Sequence, residues 1–298
     1  IDALSAGGDP GTIPGVARTT PSGKLTVTPR DYGSDDLAED RPPRYDLVAR
    51  YRDSYAMSGV GGKMGFVVSA YGCTHRCLFC AIPNITGGRY LPHKTETVIR
   101  DIRLLEDLTV IRLVDANTFG DVSAAEALGR GIIDAGLNRR FVADVRSDTV
   151  VNHPDLFRLW REAGLETAVI GFEEFRDDRL KEMNKRSGVA IHEAAMVILK
   201  DLGIRIVGDF IVSPAYTEAD FDALESFVDA HPIDVPLPAI LTPIPGTPLY
   251  RRYRDAITVK DLAYYTFTNA VMPTRMPEAE FYRTYARLWN HFVGHITH

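Results

Sequence analysis

Residues 71–80 read YGCTHRCLFC and carry all three cysteines of a 298-residue chain, Cys73, Cys77 and Cys80. They are odd in number and crowded into eight positions, which suits neither a disulfide framework nor a secreted fold. A structural zinc site wants four ligands, and His75, pressed between two of the cysteines, is the nearby candidate for the fourth. Cysteines acting only as small buried hydrophobes leave the clustering without a reason. A three-thiolate iron–sulfur cluster accounts for the count, because four irons held by three cysteines leave one iron without a protein ligand. That iron is a place for a substrate or cofactor to bind, and His75 and Arg76 are then spacers.

Working outward, the texture of the chain changes at Met64. Six short apolar runs follow, GFVVSA, TVIRLVD, FVADV, ETAVIGF, IRIVGDFIV and VPLPAILTP, separated by amphipathic stretches near residues 95–107, 123–135, 154–163, 191–202 and 218–230. Strands alternating with helices imply parallel pairing through right-handed crossovers. Gly136, Gly164 and Gly203 stand where helices should stop. Six units are two short of a complete eightfold barrel, so the expected fold is α/β, an open six-stranded parallel (β/α)6 partial barrel, with a doubly wound sheet as the other candidate. In both, ligands bind beyond the carboxyl ends of the strands. Residues 1–63, rich in Gly and Pro, are expected to form an extended lead-in, 64–252 the barrel, and 253–298 a helical aromatic cap, with DLAYYTFTNAVMP and EAEFYRTYARLWNHF both helical.

The net charge of −6 is spread along the chain without a basic stripe, so no nucleic-acid partner is expected. No apolar run approaches the roughly 20 residues of a membrane span. Closely spaced thiols suit a reducing compartment, so a cytoplasmic location is expected.

The Cys-x-x-x-Cys-x-x-Cys spacing after a first strand, with Phe79 before the third cysteine, resembles the signature of radical S-adenosylmethionine (SAM) enzymes. The resemblance implies a [4Fe-4S] cluster on Cys73, Cys77 and Cys80, with SAM bound at the open iron. Cleavage of SAM by one electron then yields a 5'-deoxyadenosyl radical, and an electron donor such as ferredoxin or flavodoxin is implied. Residues at the other strand ends match the family's SAM-binding positions: Asp115 for the ammonium group, with Asn117 as a second polar group, Arg146 for the carboxylate, and Glu173 for the ribose or amino group. Phe79 is implied as cofactor-binding, and Lys185 in the Asn-Lys pair after Glu173 as a structural or anion-binding group. Ser213-Pro214 departs from the family's Gly-x-Pro. No catalytic residue is assigned.

The segment Thr242-Pro243-Ile244-Pro245-Gly246-Thr247 and the lead-in with its Ile-Pro-Gly are similar to the branch that carries a cobalamin-binding domain. That likeness implies C-methylation of an unactivated carbon with cobalamin as a further cofactor, on a small-molecule, natural-product or lipid substrate. It also implies a cobalamin-binding domain preceding Ile1. The enzyme rivals are a methylthiotransferase, which usually needs three more cysteines, and a non-methylating rearrangement or oxidation. A non-catalytic metal-binding module is the rival of another class.

Overall fold

The structure, a computed structural model, describes residues 2–31, 33–37, 39–57 and 59–296. It divides into two compact units, Ile1–Leu37 and Ala38–His298. Ile1, on which the expectation of a preceding domain turned, lies outside the described residues. The first unit holds a helical turn α1 (Asp2–Ser5) and an antiparallel hairpin of β1 (Ala17–Thr19) and β2 (Leu25–Val27).

In the second unit six parallel strands follow one another around a single sheet: β3 (Met64–Val67), β6 (Val110–Leu113), β7 (Arg140–Val145), β8 (Leu165–Glu173), β9 (Arg205–Val212) and β10 (Val235–Ile240). Between β3 and β6 a small antiparallel pair, β4 (Ala70–Gly72) and β5 (Tyr90–Pro92), stands apart from that sheet. Because spatial order equals chain order, the sheet is a singly wound open barrel, and the doubly wound alternative is corrected. The helices are α2 (Ile82–Ile85), α3 (Thr95–Arg103), α4 (Val122–Asp134), α5 (Ser147–Asn152), α6 (Pro154–Ala163), α7 (Asp177–Glu182), α8 (Val189–Asp201), α9 (Glu218–Asp229), α10 (Pro248–Tyr253) and α11 (Glu278–Val293). Gly136, Gly164 and Gly203 all take positive φ at helix ends, as stop signals should.

The two faces of each strand belong to different cores, as the period of two requires. Residues such as Leu113, Phe141, Ala143, Ala168, Ile170, Ile206 and Phe210 face outward into one continuous core with Ile132, Phe157, Trp160, Met196 and Leu224 of the surrounding helices. The alternate residues Met64, Val110, Val142, Val169, Val207 and Val235 close the lumen with Val60 as an apolar plug. Two positions further along the same face come Arg112, Asp144, Gly171 and Asp209, a polar layer above the plug.

The C-terminal stretch divides. EAEFYRTYARLWNHFV forms α11, which buries Phe281, Leu288 and Phe292 and donates the Tyr285 hydroxyl to Pro238 O at 2.9 Å. DLAYYTFTNAVMP is not the expected helix: beyond one 3-10 turn at Leu262–Tyr264 it is irregular, with Phe267 at φ 63°. Thr266, Thr268 and Asn269 bond to one another through their side chains, the local competition that draws such residues out of helices. Among the described residues no helix is long and apolar enough to cross a membrane.

Candidate active site

The first barrel strand stops at Val67, and the chain then leaves the sheet, so Cys73 follows β4 instead of the barrel strand itself. Asp115, just beyond β6, makes this turn. Its Oδ1 accepts from Ser69 N at 2.8 Å and Ala70 N at 3.0 Å, and its Oδ2 from Ser69 Oγ at 2.5 Å. Burial pushes the Asp115 carboxyl up, and those donors pull it back.

The cysteine loop is held from three directions. Leu78 N donates to Met183 O at 3.0 Å, and Leu249 N of α10 donates to Leu78 O at 2.9 Å. Asn184 Nδ2 donates to Arg76 O at 2.7 Å. Asn84, just after the loop, donates from Nδ2 to Gly246 O at 2.9 Å, so the Pro-Gly-Thr turn braces it as well.

Glu173 ends β8 in the left-handed region, φ 67°, at a register irregularity between Gly171 and Glu173. This folds its carboxylate back over the strand to accept from Lys185 Nζ at 2.7 Å. A Cβ at position 171 would lie 2.3 Å from Glu173 Oε1 and 3.1 Å from Lys185 Nζ, so only glycine leaves room for the pair. Lys185 is presented between Asn184 and Arg186, both at positive φ. Arg146 is bidentate on Asp148, at 2.9 and 2.8 Å, and its Nη2 reaches Lys185 O at 3.1 Å.

Thus Glu173, Arg146 and the cysteine loop gather around Lys185, whereas Asp115 is engaged with the backbone of the β3–β4 turn. Asn117 is 3% exposed and its Oδ1 has no partner, a buried acceptor left for a ligand. Phe79 lines an almost wholly apolar cavity of about 280 Å³ with Cys80, Ile211, Leu241, Ile244 and Phe267. Three lumen residues outside the sequence expectations also belong here. Arg112 holds Asp144 at 2.5 Å, and burial pushes Asp144 up to about 6. Asp209, paired with Gly171 and Leu237 on the neighbouring strands, is pushed up to about 7 by burial and by Glu173 and Asp144. The period of two placing Val207, Asp209 and Ile211 on one face is the signal that identifies it as inward.

The donor set fits an iron–sulfur cluster better than a single ion. Three thiols from one loop are the ligand type an iron–sulfur cluster takes, and the chain has no fourth cysteine to complete a four-thiolate zinc site. Burial pushes the Cys77 and Cys80 thiols up, with Lys185 and Arg146 opposing this at Cys77 and a backbone N–H of Ile82 at Cys80. Cys73 and Cys80 keep some exposure.

A parallel barrel with a three-thiol loop and polar groups at its strand ends defines a class. The radical SAM superfamily model matches residues 67–228, and the chain belongs to that family, whose members use a [4Fe-4S] cluster and SAM. The chain is 26% identical over 282 residues to the hopanoid C-3 methylase of Methylococcus capsulatus, covering 95% of this chain and 53% of that protein. It is 24% identical over 278 residues to the anaerobic magnesium-protoporphyrin IX monomethyl ester cyclase of Rubrivivax gelatinosus, 91% of this chain and 49% of that one. The radical S-adenosylmethionine methyltransferase TsrM from Kitasatospora setae, solved with cobalamin and a [4Fe-4S] cluster bound, superposes with a TM-score of 0.71. Its identity of 18%, over 95% of this chain and 59% of that one, makes this a likeness of fold. The chain spans about half the length of the curated relatives it matches.

Proposed function

We propose that this chain is the catalytic core of a radical SAM C-methyltransferase that uses cobalamin as methyl carrier and acts on an unactivated carbon of a small, largely apolar natural product or lipid. The observation that carries this is the cysteine loop at the mouth of a barrel whose likeness to the hopanoid C-3 methylase extends over 95% of the chain. Cys73, Cys77 and Cys80 would hold the cluster, which when bound supplies the electron that cleaves SAM. The remaining steps rest on this chain's own groups. Glu173 presents a carboxylate to the ribose or amino group of SAM, Asn117 a buried acceptor, and Arg146 a cation beside the thiols. The cavity at Phe79 suits the flat, weakly polar face of adenine. The valine plug closes the lumen from below, keeping water from a radical formed above it. Cobalamin is proposed from the likeness of the lead-in and of the TsrM fold, and no residue here is assigned to it. A ferredoxin or flavodoxin is proposed as electron donor.

The likeness to the magnesium-protoporphyrin cyclase supports a second reading, radical oxidation without methyl transfer. Anaerobic reconstitution with iron and sulfide, followed by reduction with SAM and methylcobalamin, separates the two. Formation of 5'-deoxyadenosine together with S-adenosylhomocysteine is expected for methylation. The first product alone favours the oxidative reading, and neither product from cluster-loaded protein refutes both.

A further inference from the structure

We propose that Asp229, His291 and His295 form a binding site for a divalent cation of the zinc type, which clips α11 to the end of α9. Asp229 is the last residue of α9, and the βα alternation places that end at the amino-terminal side of the strands, opposite the cysteine loop. His291 and His295 are four residues apart on α11 and its C-terminal extension, so they share one face. Their rings stand 5.4 Å apart, and both Nε2 atoms aim at one oxygen, Asp229 Oδ1, at 2.8 and 2.9 Å. All three donor atoms lie within 4.8 Å of one another, and among the described residues no other group of three His, Cys, Asp or Glu side chains meets that spacing.

Two imidazole nitrogens and one carboxylate oxygen are a borderline donor set that suits zinc, and three protein ligands leave a fourth position for water. Without an ion, a single oxygen must serve two ring N–H donors. A cation at the point of convergence is met instead by two nitrogen lone pairs. The carboxylate also ends a helix, where the backbone dipole is itself negative and favours a positive neighbour. Solvent reaches the site, since His295 borders a concavity of about 450 Å³ that also contains His231 and Asp234. The clip would fasten the helix that covers β10, leaving the chemistry at the other end of the barrel untouched.

Zinc chloride titrated calorimetrically into anaerobic, cluster-loaded protein near neutral pH tests this, because the loaded cluster keeps zinc from the thiols. One zinc per chain is expected, with a rise in melting temperature. Asp229→Asn, His291→Gln and His295→Gln should each weaken uptake at least tenfold and abolish the rise, with iron content unchanged. The same titration on a Cys73→Ala/Cys77→Ala/Cys80→Ala background should still give one zinc. Absence of uptake by the unsubstituted protein, or equal uptake by the three variants, overturns the site and leaves two ordinary histidine–aspartate hydrogen bonds.

Discussion

Lys185 Nζ lies 2.7 Å from Glu173 Oε1, and the two side chains are only 10% and 11% exposed. The pair joins the end of β8 to the loop that carries the Asn184 bond to the cysteine loop. Removing the cation alone strands a buried carboxylate, so Lys185→Met should cost about 3 kcal/mol in a urea titration. Glu173→Gln keeps an acceptor for Lys185 but removes its counter-charge, so it should destabilise the chain less than Lys185→Met does, yet bind SAM at least tenfold more weakly by equilibrium dialysis. Equal SAM affinity would remove Glu173 from the cofactor site.

Gly171 separates shape from chemistry. A Cβ there meets the far end of the Glu173 side chain at 2.3 Å, which can move only by giving up Lys185. Gly171→Ala should therefore cost about as much as Lys185→Met, about 3 kcal/mol in the same urea titration. SAM affinity should fall as far as in Glu173→Gln. A variant that loses stability but keeps its affinity would show that the pair is structural only.

Asp115 is placed by its partners as the tie of the β3–β4 turn. Asp115→Ala leaves Ser69 N, Ser69 Oγ and Ala70 N without their buried acceptor, each costing about 1–3 kcal/mol if no water replaces it. The turn leads straight into Cys73, so iron content after reconstitution should fall along with stability. Asp115→Asn, which retains one acceptor oxygen, should recover part of both. If Asp115→Ala takes up iron normally and loses only SAM affinity, the ammonium contact implied by the family resemblance is its main role.

These residues show what could be read along the chain. The barrel was legible because six apolar runs alternate with amphipathic stretches, with glycines where the helices end. The cysteine loop was legible because its spacing is local. Asp115 was not, because a carboxylate after a strand looks the same whether it meets a ligand or the backbone of a turn 46 residues away. Glu173 and Glu174 are adjacent and chemically identical, yet one faces Lys185 and the other accepts from the Tyr216 hydroxyl at 2.8 Å; alternation decides which is which. Asp209 sat unnoticed inside an apolar run because a single charge does not interrupt a strand pattern. The aromatic spacing at residues 261–273 suggested a helix, while the threonine and asparagine side chains that prevent it carry no period.

Asp209 makes the pH dependence of stability a test of the lumen. Its carboxyl is pushed from 3.8 up to about 7, by burial first and then by Glu173 and Asp144, against Arg112 and Lys185. Between those two values the folded chain keeps a proton that the unfolded chain has released, so stability falls as pH rises through that window and levels off above it. Asp144, at about 6, acts in the same direction. His192, fully buried and lowered to about 4, acts in the opposite one, since its unfolded form gains a proton as pH falls below 6.5. Asp209→Asn removes one contribution and leaves His192 in place, so the difference between the two proteins isolates it. Urea midpoints of the variant and the native chain should nearly coincide near pH 4 and diverge steadily up to pH 7, the variant becoming more stable by about 2–4 kcal/mol. Parallel curves would mean that Asp209 is solvated as a surface carboxylate is, and that the polar layer above the valine plug is open to water.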